Sequence, residues 1–479
     1  MYQNAVGLIE GRLWIESDMF FTKDASLGPD GRWYSPHGVG QPLLSVPLVL
    51  AGRLVARAIP ALSARIAQRA AVMMFCPLVT ALTCAILFLL LIDLGLSYRF
   101  ALIGVGVYGL ATIAWPYSKT YFSDPLSGLL VLFAVWYLWK GKKNNSFGQV
   151  AAAGAVMALA ILTRHFNLFV AAFVPLFLLI PQPGRKMQWK SSLKLIAAYG
   201  AVVLLGGLIW GWHNWARYGH FTQLSSPGYH GGFGQVPIWI GLAGLLVSPG
   251  FGLVWYTPVS VLAIVGYRYL CKRERAFSLL ALAVVALHVC LYATFTFWGG
   301  MWCWGPRFLI AIMPLIAVGI AVALSEWEQW AVWARAATLT LIGISVAIQI
   351  LACSIYFVTV FGTIEDMGVE VQSRSFEWRY SPLAVAPRCL AQVQWSPISL
   401  SGLESGMPSE ELKQAIRSTL DYWPAYVYRV VELPNALMAV FVLQVALTLW
   451  LFRHTWRRCS GEPEEKTHPP SNQGSATDT

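Results

Sequence analysis

Long apolar stretches separated by short polar loops recur along this 479-residue chain. A helix that crosses a bilayer needs about 20 mostly apolar residues, and about eleven stretches approach that length. The pattern predicts an all-α polytopic membrane protein with about eleven transmembrane helices. The predicted spans are Arg69–Leu96, Phe100–Trp115, Phe122–Trp139, Phe147–Leu162, His165–Ile180, Leu193–Trp212, Phe251–Tyr269, Ala276–Phe297, Phe308–Leu324, Ala336–Phe361 and Ala436–Phe452.

The basic residues between these spans set a direction. Cytoplasmic loops of membrane proteins carry an excess of Lys and Arg, so loops rich in both are predicted to lie inside. One topology places all four clusters inside, with the N-terminal loop extracytoplasmic and the C-terminus cytoplasmic. The clusters are Lys140, Lys142 and Lys143; Arg185, Lys186, Lys190 and Lys194; Arg268, Lys272, Arg273 and Arg275; and Arg453, Arg457 and Arg458.

The predicted spans and this topology divide the chain into five parts. Residues 1–68 form a long external loop, in which Gln41–Ile59 is predicted to lie in the membrane interface because it carries Pro47 and two arginines. Residues 69–361 form the transmembrane bundle with its external loops, and 362–434 form an external lid. Residues 435–453 make the last transmembrane helix, and the polar tail 454–479 is predicted to be disordered and cytoplasmic.

Composition narrows the classes of function. The chain is 57% hydrophobic and only 12% charged, and its net charge of +11 lies in loops beside the membrane rather than in a nucleic-acid-binding patch. Its eight cysteines lack metal-binding spacing. No phosphate-binding loop, HExxH, GxSxG or dinucleotide motif occurs, which argues against ATP-driven transport and soluble-type hydrolysis.

Asp124 is the first candidate for chemistry, since carboxylates at membrane edges are costly and usually functional. It stands just before Pro125 at the start of a predicted span, so it could instead cap that helix. Lys119 is close in sequence and could pair with Asp124 or with an anionic ligand.

Two arginines stand at outer ends of spans, Arg164 and Arg307. A guanidinium can hold a phosphate with two parallel hydrogen bonds, although many boundary arginines only anchor the chain among lipid headgroups. Around Arg307, Trp302 and Trp304 with a Gly-Pro turn predict a rigid aromatic pocket.

Further polar candidates lie in two other external loops. His37 sits in a loop rich in Gly and Pro, where it could bind a phosphate, a metal or a sugar hydroxyl, or could simply be surface. The fourth external loop carries planar donors and aromatic rings typical of sugar contacts, and interface anchoring is the alternative. Its candidates are Asn214, Arg217, Tyr229 and His230.

The order and common outer location of these motifs resemble the C-type superfamily of membrane glycosyltransferases (GT-C), in its bacterial branch akin to mannosyl- and aminoarabinose-transferases. The matching stretches are Asp30–Pro47, Trp115–Pro125, Thr163–Arg164, His213–Gly219 with Tyr229, Leu245–Pro258 and Trp298–Pro314.

The resemblance implies a multi-pass enzyme of the bacterial inner membrane, with interfacial helices in its first external loop. It implies a hexosyl- or pentosyl-transferase that moves a sugar from a polyprenyl-phosphate donor to a glycan, lipid or protein acceptor. Asp124 and His37 would be catalytic, with the other candidates binding substrate and Arg307 holding the lipid phosphate. A divalent metal ion is left open, with no cofactor certain and no nucleic-acid partner.

One feature departs from that pattern. The superfamily's principal acid directly follows its first span, and this position would lie just before Met1, so that a first span is expected to be missing. A transporter or lipid flippase, and a catalytically degenerate membrane scaffold, therefore stay as alternatives. A transporter would show inverted repeats and helices broken near the midplane.

Overall fold

The structure is a computed structural model that describes residues 1–15, 25–60, 63–181, 189–222, 232–394, 418–421 and 434–460. Over these ranges the regular secondary structure is almost all helical, with one two-stranded sheet. The predicted all-α fold is confirmed. About half of the predicted lid (395–417 and 422–433) and residues 461–479 of the predicted disordered tail 454–479 lie outside the described residues. Residues 454–460 of that tail are helical, because the last helix continues to Ser460.

The N-terminal part holds three helices and the small sheet. Helix α1 covers Tyr2–Ile9, α2 covers Gly40–Ala58 and α3 covers Ala64–Met73. Strands β1 (Ser26–Leu27) and β2 (Trp33–Tyr34) pair in antiparallel register. Helix α2 coincides with the segment expected at the membrane interface, and its location there stays a prediction.

The rest of the described chain adds sixteen helices and several 3₁₀ turns. The helices are α4 (Phe75–Asp93), α5 (Tyr98–Ala111), α6 (Ala114–Ser118), α7 (Asp124–Lys143), α8 (Phe147–Thr163), α9 (Asn167–Phe173), α10 (Trp189–Tyr218), α11 (Ile238–Val247), α12 (Leu253–Tyr256), α13 (Leu262–Arg273), α14 (Arg275–Ala293), α15 (Met313–Ser325), α16 (Val332–Ser354), α17 (Phe357–Asp366), α18 (Pro382–Ala391) and α19 (Pro434–Ser460). The 3₁₀ turns are Val174–Leu179, Pro258–Val261, Arg307–Ile312, Trp327–Gln329 and Trp378–Tyr380.

Five helices of the described chain are long and apolar enough to cross a membrane, and each coincides with a predicted span. They identify a multi-pass membrane protein. Several other predicted spans correspond to shorter apolar helices, such as α5 and α8. The five long helices are Ala64–Asp93, Trp189–Tyr218, Arg275–Ala293, Arg307–Ser325 and Val332–Ser354.

The span predicted as continuous over Phe251–Tyr269 is interrupted. Helix α12 ends at Tyr256, a 3₁₀ turn follows at Pro258–Val261, and α13 begins at Leu262. Proline lacks a backbone N–H, so a break at this point costs the helix fewer hydrogen bonds.

Side chains of α16 satisfy the backbone freed by this break. Gln349 donates a hydrogen bond to the carbonyl of Tyr256 over 2.6 Å, and the N–H of Val259 donates to Ser345 over 2.9 Å. Both α16 side chains are completely buried. Irregular backbone at membrane depth is stable when protein groups supply its partners, as they do here.

Helix α15 lies at the centre of the bundle, with nearly all of its residues buried. Its closest neighbour is α13, which it meets at a pair of glycines. A Cβ on Gly266 would lie 1.7 Å from the carbonyl oxygen of Gly319, so neither position has room for a side chain without separating the helices.

Helices α7 and α8 form an antiparallel hairpin that determines the position of the candidate site. The turn at Asn144–Ser146 is tight, with Ser146 accepting a hydrogen bond from the N–H of Gln149 as the N-cap of α8. At 1.5 Å per residue the 20 residues of α7 span about 30 Å. The hairpin therefore returns the end of α8 to the level at which α7 begins.

Candidate functional site

Three chain segments converge at one end of the bundle, which we call the Asp124 end. Helix α7 begins with Asp124, α8 ends at Thr163 so that Arg164 follows it, and a 3₁₀ turn begins with Arg307. Gly128 allows this turn to approach, since a Cβ there would lie 2.9 Å from the carbonyl oxygen of Ile310. The three charged side chains come from distant parts of the sequence and meet because of this packing.

Asp124 lies between the two arginines and is only 2% exposed. Its carboxylate accepts a hydrogen bond from the guanidinium of Arg164, and its second oxygen is 4.0 Å from Nε of Arg307. Asp124 occupies the first turn of α7, where a negative charge interacts favourably with the helix dipole. Ser123, and not Asp124, is the N-cap of α7, so the alternative in which Asp124 serves as the helix cap is wrong. The carboxylate of Asp124 instead pairs with the arginines, and its negative charge also complements the helix dipole.

Among the residues that the structure describes, this cluster carries one positive charge in excess. One carboxylate faces two guanidiniums, whose side chains are only 15% and 18% exposed for Arg164 and Arg307. Nε of Arg307 is buried and has no hydrogen-bond partner in the part of the chain that the structure describes. Unpaired buried donors are costly, so this donor favours an anionic ligand that would accept from it.

Aromatic rings support both guanidiniums. Phe308 lies under each of them at 5.1 Å, and Phe122 lies 4.7 Å from the guanidinium of Arg307. Tyr292 stacks on Phe308 at 4.4 Å and also interacts with Arg164. Such contacts hold the planar cations in fixed orientations. Sequence reasoning did not single out these three aromatic residues, although Phe308 directly follows Arg307.

His37 lines the same region from the N-terminal part. The residue is exposed, and it lies near enough to Arg164, Arg307 and Arg217 for their charges to act on its imidazole. Desolvation by its surroundings, together with the positive charges of the N-terminal amine, Arg164, Arg307 and Arg217, lowers the pKa of His37 to about 3. The imidazole is therefore neutral at physiological pH.

Arg217 and Asn214, at the end of α10, brace the loop that carries His37. Arg217 donates hydrogen bonds to the carbonyls of Ser35 (2.6 Å) and His37 (3.1 Å), and to the side chain of Asn214 (2.9 Å). Tyr218 adds a hydrogen bond to the carbonyl of Ser35. The arrangement positions His37 rather than presenting Arg217 to solvent.

Lys119 does not pair with Asp124 as the sequence allowed. Its ammonium donates to the carboxylate of Asp421 over 2.6 Å and to the carbonyl of Cys353 over 2.7 Å. These contacts tie the short described segment around Asp421, within the predicted lid, to α6 and α16.

The two predicted pocket tryptophans differ in environment. Trp302 is partly exposed and donates to the carboxylate of Glu365 over 2.9 Å. Trp304 is buried, and its carbonyl accepts from the hydroxyl of Tyr117. Trp304 therefore packs in the core against Tyr256. The rings at the guanidinium of Arg307 are Phe122 and Phe308 rather than the two tryptophans. The candidates Tyr229 and His230 lie outside the described residues.

The described residues fit a metal ion poorly. Among them, no group of three or more His, Cys, Asp or Glu side chains comes close enough to hold a metal. The carboxylate of Asp124 already faces two guanidiniums, which compete with any cation. A divalent ion therefore stays a prediction without a ligand set.

Comparisons with known proteins give a weak structural likeness. No protein-family profile and no curated protein matches this chain. Two solved structures of an oligosaccharyltransferase from Archaeoglobus fulgidus are similar, in the apo form and in complex with Zn and sulfate, at TM-scores of 0.48 and identities of 12% and 13%. Both alignments cover 72% of this chain but only 51% and 48% of the other, so the chain spans about half their length. A likeness of this size assigns neither family nor function.

Proposed function

We propose that this protein is a membrane glycosyltransferase that moves a sugar from a polyprenyl-phosphate donor to a glycan, lipid or protein acceptor. The observation that carries the proposal is the buried pair Arg164 and Arg307, with Asp124 between them and one positive charge in excess. A phosphate at the edge of a membrane bundle matches this excess.

The leaving phosphate gains negative charge as the bond to the sugar breaks. Fixed cations in a site with little water stabilise such charge most strongly, because they need no reorganisation during the reaction. Phe122 and Phe308 hold the guanidiniums, and the carboxylate of Asp124 orients them. Arg307, whose Nε lacks a partner among the described residues, would make the direct contact with phosphate.

The transfer also requires a group that accepts a proton from the acceptor hydroxyl. His37 is neutral and exposed, and it is close enough to the arginines for their positive charge to lower its pKa. A bound phosphate would offset that positive charge and raise the pKa of His37, which makes the imidazole a better proton acceptor when the donor is present. Asp124 is the second candidate for this role. No step is assigned to a metal ion.

The proposal includes a location. The Asp124 end would face the extracytoplasmic side of the bacterial inner membrane, because Lys140, Lys142 and Lys143 lie at the opposite end of α7. The N-terminal helices would then lie at the outer surface and the C-terminus inside. The prenyl chain would extend into the hydrocarbon layer beside the bundle.

The decisive experiment measures transfer of a labelled sugar from polyprenyl phosphate by the full-length protein in membranes. We expect Arg307→Gln to abolish transfer. The matched control is Arg32→Gln, because Arg32 is exposed and its contact with Asp30 is a surface pair. Normal transfer by Arg307→Gln would overturn the proposal.

Two other outcomes would favour the alternatives. Donor binding to the wild type that Arg307→Gln removes, without transfer to any acceptor, would indicate a catalytically degenerate scaffold. Movement of the lipid across the bilayer without sugar transfer would indicate a flippase or transporter. Transporters commonly contain interrupted helices, and the break at Pro258 is a feature of this kind. The flippase and transporter class is therefore kept as an outcome of the experiment.

A further inference from the structure

An open cavity of about 620 Å³ lies at the other end of the α7–α8 hairpin. Asn145 and Phe147 form one side, where the hairpin turns, and Trp189, Lys190 and Lys194 form the other, on the first turns of α10. Because Asn145 lies two residues beyond the end of α7, the cavity lies about 30 Å from Asp124. It therefore belongs to the opposite membrane surface and plays no part in the candidate active site.

The walls of this cavity are fixed by packing. Ser191 donates a hydrogen bond to the side chain of Asn145 over 2.7 Å, which joins α10 to the hairpin turn. Further along, α8 and α10 pack closely at Gly154, where a Cβ would lie 2.8 Å from the carbonyl oxygen of Tyr199. These contacts hold the two sides of the cavity, the hairpin turn and the start of α10, next to each other.

Its two lysines differ from others at the same end of the bundle. Lys140 pairs with Asp93 over 2.8 Å, and Lys143 pairs with Glu274 over 3.1 Å. Within the described ranges, Lys190 and Lys194 have no carboxylate partner, and their i,i+4 spacing places both ammoniums on one face of α10. Two unneutralised ammoniums at one cavity are complementary to a phosphate group.

The rings beside them match a ligand that is apolar on one side. Trp189 is 59% exposed and Phe147 62% exposed, and both line the cavity. Exposed aromatic residues at the end of a long apolar helix are typical of the headgroup level of a bilayer. We propose that this cavity binds the phosphate-bearing headgroup of an anionic phospholipid in the leaflet opposite the candidate active site.

The test compares the purified full chain in nanodiscs of phosphatidylcholine with and without phosphatidylglycerol. We expect phosphatidylglycerol to raise the melting temperature of the wild type, and Lys190→Gln with Lys194→Gln to lose that increase. The double variant loses two direct charge-assisted contacts with the phosphate, so we expect its binding to be about thirty-fold weaker. The number of phosphatidylglycerol molecules retained in native mass spectrometry gives an independent readout.

The matched control is Arg268→Gln with Lys272→Gln, which removes an i,i+4 pair of exposed cations from α13 outside the cavity. This control is expected to respond to phosphatidylglycerol as the wild type does, and Lys190→Arg with Lys194→Arg is expected to restore lipid retention. An equal loss in the α13 control would overturn the proposal, since it would reflect general surface charge. An equal increase from inorganic phosphate in phosphatidylcholine alone would also overturn it, because the ligand would then be a free anion.

Discussion

Replacing Asp124 by Asn should have opposite effects on stability and on phosphate affinity. The carboxylate is 2% exposed and compensates two largely buried guanidiniums. Breaking a buried ion pair by removing one partner costs about 3–5 kcal/mol, because the other charge stays buried without compensation. We therefore expect a clear fall in the melting temperature of the solubilised protein.

The same substitution removes the negative charge of the carboxylate, so the net charge of the site becomes more positive by one unit. At an effective dielectric constant of about 20 and a separation of about 8 Å, that charge is worth about 2 kcal/mol, or roughly thirty-fold in affinity for an anion. Asp124→Asn should therefore bind polyprenyl phosphate more tightly, while sugar transfer slows because the arginines lose their orienting partner. Binding is measured by titration in nanodiscs, and transfer by release of labelled product.

A double-mutant cycle separates this pair from general loss of charge. Arg164→Gln should also destabilise the protein, and adding it to Asp124→Asn should cost less than the two single effects together. The control cycle uses Asp30→Asn and Arg32→Gln, an exposed pair at 3.8 Å for which we expect almost no coupling. Additive effects at Asp124 and Arg164, or weaker phosphate binding by Asp124→Asn, would refute the reasoning.

Three further predictions concern other parts of the molecule. Gly266→Ala should destabilise the bundle by about 3 kcal/mol through overpacking against α15, whereas Gly343→Ala, with open space around its Cβ, should leave the melting temperature unchanged. Lys119→Gln should increase the rate of limited proteolysis near Asp421 about five-fold, and an unchanged rate would mean that their ion pair does not hold this segment. Because the pKa of His37 in the folded protein is about 3, below its usual value near 6.5, its stabilising contribution is complete above pH 6.5 and is lost as the pH falls towards 3. The free energy of unfolding of the wild type should accordingly fall relative to that of His37→Gln between pH 7.5 and 4.5. An unchanged difference between the two would contradict the lowered pKa of His37.

Much of the fold could be predicted from hydrophobicity alone. Each of the five helices long and apolar enough to cross a membrane lies where an apolar stretch predicted a span. The break at Thr257–Pro258 was not predicted, because Gln349 and Ser345, which satisfy its backbone, lie some ninety residues away in sequence. The apolar content of a segment indicates that it is buried in lipid or in the protein core. It does not indicate which distant side chain can replace a backbone hydrogen bond lost at a break.

The sequence indicated which types of residue form the candidate site, but not which of them are in contact. A carboxylate and two arginines at span ends are visible in the sequence, but the pairing of Asp124 with Arg164 follows from the length and antiparallel direction of α7 and α8. The sequence left open a partner for Lys119, and it could not identify Asp421 about 300 residues further on. The roles of all these residues in binding and catalysis stay predictions.

The interrupted helix has a consequence for local opening of the bundle. Backbone amides in short or irregular segments usually exchange with solvent faster than those inside long helices. The amide of Val259, however, donates to the buried Ser345, and the hydroxyl of Thr257 at the same break accepts from the amide of Ile113, which lies between α5 and α6, over 3.4 Å. Deuterium should therefore enter these two positions as slowly as it enters the central helices, so that the irregular stretch behaves as a rigid joint between α12 and α13.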